Sequence, residues 1–124
     1  MPALKAIDHL SEILGIPLAE GKLPVELIWK GIFELEVVRW NSCLILVGVV
    51  SKGVKSDDPL LSSVTRLRST TFARPQVVLA YQADSRRLIL WTALQENDSQ
   101  DEVSARLTDL LAVMDSLLPA LPSL

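Results

Sequence analysis

Apolar residues recur along this chain with two different periods, and the switches between the periods mark out its elements. From Pro2 to Leu14, Ala3, Ile7, Leu10 and Leu14 return at three- and four-residue steps while Lys5, Asp8 and Glu12 take the other side, which predicts an amphipathic helix. Gly15 is placed to end it. The period then drops to two. Val25, Leu27 and Trp29 alternate with Glu26, Ile28 and Lys30, and Phe33, Leu35 and Val37 alternate with Glu34 and Glu36, the pattern of half-buried strands broken at Lys30-Gly31. After the polar pair Asn41-Ser42, the run from Cys43 to Val50 is apolar at nearly every position, so both faces of that strand should be covered and it should lie centrally in a sheet.

Helical spacing returns in the middle of the chain. Ser56-Asp57-Asp58-Pro59 is a helix-start signal, because Asp accepts hydrogen bonds from first-turn N–H groups and Pro loses nothing at the first helical position. Leu60, Leu61, Val64 and Leu67 then form one stripe, with Arg66 and Arg68 elsewhere on the surface. Val77 to Tyr81 and Leu88 to Leu94 read as two strands joined by the turn-rich Ala83-Asp84-Ser85-Arg86. Ser99-Gln100-Asp101-Glu102 has capping-box spacing, in which the Ser hydroxyl and the Glu three residues on each satisfy the other's backbone N–H. It opens a last helix whose Val103, Leu107, Leu110, Leu111, Met114, Leu117 and Leu118 share a face until Pro119 and Pro122 stop it. The order is α-β-β-β-α-β-β-α: an α+β chain, residues 1–124 forming a single domain, with helices packed on an antiparallel sheet. It contains no internal repeat or low-complexity tract.

Composition sharpens this picture in one respect. Hydrophobic residues make up 49% of the 124 and mean hydropathy is +0.33, high for a protein whose surface must carry its charged groups, so some apolar surface is expected to find a partner. That partner is not expected to be a bilayer. The longest uncharged interior run, Trp40 to Ser51, has 12 residues, where a spanning helix needs about 20. Asp8, His9 and Glu12 interrupt the position of a secretory h-region, which predicts a cytoplasmic protein. A net charge of −3 and a pI near 5.1 argue against a nucleic-acid surface, which needs clustered Lys and Arg in excess.

Candidate chemistry is sparse. His9 is the only histidine and Cys43 the only cysteine, so neither a zinc site nor an internal disulfide can be assembled, and Cys43 reads as a small hydrophobe inside an apolar run. Glycines 15, 21, 31, 48 and 53 are scattered and make no phosphate-cradling loop. Asp57-Asp58 reads as a cap, Glu34 and Glu36 as a solvated strand face, and Arg66, Arg68, Arg74, Arg86 and Arg87 as dispersed surface charge. No catalytic residue, metal or cofactor is implied. The tryptophans say more: Trp29 and Trp91 sit on strands and Trp40 at a strand end, where a large amphipathic ring packs either in the core or at an interface. A small ligand-binding module or enzyme with a pocket lined by Trp29, Trp40 or Trp91 stands as the third reading.

With the element order, the Leu-rich middle helix at Pro59 to Arg68, the polar turn before Arg87-Leu88-Ile89-Leu90 and the Leu-rich final helix in place, the chain resembles the class I chaperones of bacterial type III secretion. The resemblance implies a dimer, with itself or with a sister chaperone, built on Leu60, Leu61, Val64, Leu67, Val77, Leu79 and Tyr81. It implies as client the N-terminal region of a secreted effector or a translocation or gatekeeper protein, held as an extended segment and kept secretion-competent. Leu10, Ile13, Leu27, Trp29, Phe33 and Leu35 are the client-contact residues this suggests. No nucleotide is hydrolysed by such a chaperone; the secretion ATPase it docks with supplies the energy. An adaptor subunit of an obligate heterodimer with another small α+β chaperone is the alternative.

Overall fold

The computed structural model describes residues 5–55 and 77–117. Helix α1 (Ala6–Leu14) leads through a single 3-10 turn at Glu20–Lys22 into strands β1 (Val25–Trp29), β2 (Phe33–Trp40) and β3 (Cys43–Ser51). Strands β4 (Val78–Gln82) and β5 (Arg87–Gln95) and helix α2 (Gln100–Leu117) follow. The helix expected over Pro59 to Arg68, its stripe Leu60, Leu61, Val64 and Leu67, and the Asp57-Asp58 cap lie outside the described residues. So does the start of the first helix before Lys5.

All strand pairs are antiparallel and the sheet order is β1-β2-β3-β5-β4, which makes β3 central, as its unbroken apolar run predicts. The turns are where the chain takes up left-handed backbone. Lys30 (φ 52°) and Gly31 (φ 74°) turn β1 into β2, Asn41 (φ 55°) turns β2 into β3, and Arg86 (φ 53°) closes the hairpin between β4 and β5. Gly and Asn tolerate that region, whereas Lys and Arg enter it at a cost. A bulge between Val49 and Ser51 shifts the register of β3 against β5.

One face of the sheet carries the core. Phe33, Leu35 and Val37 from β2, Leu44 and Leu46 from β3, and Leu90 and Leu94 from β5 are buried with Ala6, Ile7, Leu10 and Leu14 of α1 and with Val103, Leu107, Leu110, Val113, Met114 and Leu117 of α2. Each such aliphatic side chain contributes about 1.5–3 kcal/mol by leaving water. Val113, outside the predicted helical face, also belongs to the core, and Leu111 is only half-buried against it. Gly48 is what lets α2 sit so close: a Cβ there would stand 2.4 Å from Met114 Sδ.

The ends of the helices are tied as their sequences ask. Gly15 takes the left-handed conformation (φ 70°) and its N–H donates to Ser11 O. The Ser11 hydroxyl donates to Ile16 O and accepts from Leu18 N–H, folding the exit of α1 back on itself. At α2 the Glu102 N–H donates to Ser99 Oγ at 3.2 Å, half of a capping box. The other half differs from expectation, because the Ser99 hydroxyl itself donates to Glu102 Oε1 at 3.3 Å.

Candidate functional site

Both described helices lie on the same face of the sheet, and the opposite face is apolar as well. On it, Val47, Val49 and Ile89 are buried in a second cluster with half-buried Val38, Ile45, Ala80 and Trp91 around them. Next to this cluster Trp40 is 65% exposed. Apart from Val49, these residues line a groove of about 390 Å³ whose polar lining is Glu36, Arg39 and Gln82. The groove is legible in hindsight: β3 and β5 are apolar at positions of both parities, which only makes sense if both of their faces meet apolar material.

The charged groups on this face are organised rather than dispersed. Arg87 donates from Nη1 to Glu36 Oε2 at 3.2 Å and from Nε and Nη2 to Gln82 Oε1 at 2.9 and 2.7 Å. Its ion pair with Glu36 is largely shielded, the two side chains being 19% and 16% exposed. Glu34 pairs with Lys52 at 2.6 Å. The expectation of a simply solvated Glu34-Glu36 face is thus corrected: long cations from the β3 end and from β5 reach back over the sheet to both carboxylates. Cys43 also departs from expectation. As the first residue of β3 on the face away from the helices it is half-buried, and its thiol donates to Gln95 Oε1 at 3.6 Å.

Further apolar side chains of α1 and β1 lie at the rim of the core. Ile13, Leu27 and Trp29 pack on the rim of the core and stay partly exposed, while Leu10 and Leu35 are fully buried beneath them and Phe33 nearly so. Trp29 Nε1 is buried without a hydrogen-bond partner among the described residues, and Lys30 Nζ stands 5.9 Å from the Trp29 ring centre. Ile28 (68%), on the other face of β1, and Ile32 (66%), in the turn before β2, are exposed. Among the described residues strand β1 is also an edge of the sheet, with no strand paired on its outer side. Of the residues expected at a dimer interface, Val77 is buried just before β4, and Leu79 and Tyr81 are half-buried on that edge strand. The Tyr81 hydroxyl donates to Val54 O, and Val54 N–H donates to Arg86 O.

Among the described residues no three of His, Cys, Asp and Glu stand close enough to hold a metal ion, and no helix is long and apolar enough to cross a membrane. His9 is half-buried with Nδ1 unpartnered among those residues.

No family model matches the chain, and no curated protein matches it in sequence. Solved structures do match it over nearly its whole length. The heterodimeric ExoU–SpcU complex from the type III secretion system of Pseudomonas aeruginosa superposes with a TM-score of 0.70 and 21% identity, covering 94% of this chain and 97% of its counterpart. The HopA1–SchA chaperone–effector complex gives 0.68 and 14%, over 92% and 91% of the two chains. The Yersinia pestis type III secretion chaperone SycH, in complex with a fragment of YscM2, gives 0.60 and 18%, over 90% and 96%. The fold is that of a type III secretion chaperone. This chaperone fold is shared by YbjN of E. coli, described as a putative transcription regulator, at a TM-score of 0.59 and 13% identity over 91% and 87% of the two chains. Activity must therefore be argued from the surfaces that the fold presents.

Proposed function

We propose that this protein is a cytoplasmic type III secretion chaperone that holds the N-terminal region of a secreted effector or gatekeeper protein in extended, secretion-competent form. It acts as a binding protein, with apolar contact and strand addition rather than chemistry as its working parts. The observation that carries the reading is that Leu27 and Trp29, apolar and only partly buried, stand on β1, an edge strand of the sheet among the described residues. An extended segment laid there gains main-chain hydrogen bonds from the strand edge and side-chain burial from the rim. The fold match to proteins solved together with partner polypeptides supports it further.

Leu10, Phe33 and Leu35 take part from below, as the floor that holds the rim in shape. The dimer is proposed to form through Leu60, Leu61, Val64 and Leu67 with Val77, Leu79 and Tyr81, with itself or with a sister chaperone.

Purification from the native host, with light scattering and mass spectrometry, tests this. A bound polypeptide at fixed stoichiometry is expected, and Trp29→Ala should weaken its retention at least tenfold while the chain stays folded. A metabolite as the sole companion would point to the ligand-binding alternative.

A further inference from the structure

We draw no further inference here: the strongest candidate, the apolar groove between Trp40, Ile45 and Trp91 on the sheet face away from the two described helices, carries nothing further because nothing among the described residues shows what covers it.

Discussion

Gly48 shows how far a single position can constrain this molecule. Its missing side chain is the space into which Met114 of α2 fits, and an added methyl forces the flexible thioether aside. Gly48→Ala should cost about 1–3 kcal/mol of unfolding free energy by overpacking. Combined with Met114→Ala, it should show less than the sum of the two losses in a double-mutant cycle. The same scale separates floor from rim among the client-contact candidates. Leu10→Ala or Leu35→Ala removes a fully buried side chain, so denaturant unfolding should report a loss of about 2–5 kcal/mol. Trp29→Ala should act mainly on partner binding. Sequence periodicity could not draw that line, because Leu10, Leu27 and Trp29 all read as apolar positions facing inward. How deep each one lies depends on where α1 and α2 cross the sheet.

At the scale of elements, much was legible. The alternation in Val25–Trp29 and Phe33–Val37, the unbroken run from Cys43, the turn at Ala83–Arg86 and the Ser99 cap each name their element by a local physical cause, and the structure places an element at each. The bounds moved where local signals faded: β2 runs on to Trp40, β3 to Ser51, and β5 from Arg87 to Gln95. Sheet order, the bulge at Val49/Ser51 and the Glu36–Arg87–Gln82 network come from non-local pairing, which no window of sequence contains. The cap is the element most directly testable. Ser99→Ala removes the acceptor of the Glu102 N–H and should lower stability by about 0.5–2 kcal/mol, read from the shift in thermal or urea midpoint.

For the whole molecule the governing fact is an imbalance of surfaces. The sheet is apolar on both faces, and both described helices are spent on one of them. The sequence already carried this imbalance in the two-sided apolarity of residues 43–50 and 88–94. The stripe Leu60, Leu61, Val64 and Leu67 argues for self-association on the same grounds. If the proposed dimer forms through this stripe, Leu61→Glu or Val64→Glu would desolvate a charge in its interface at a cost of several kcal/mol, and light scattering should show the mass of a single chain. The most direct measurement of the central claim is hydrogen exchange on the protein with and without its copurified partner. Slowed exchange is expected along the β1 edge and around Trp29, with the bound stretch of the partner protected as an extended segment. Unchanged exchange at β1 and the rim, with a partner folded independently and touching neither, would contradict it.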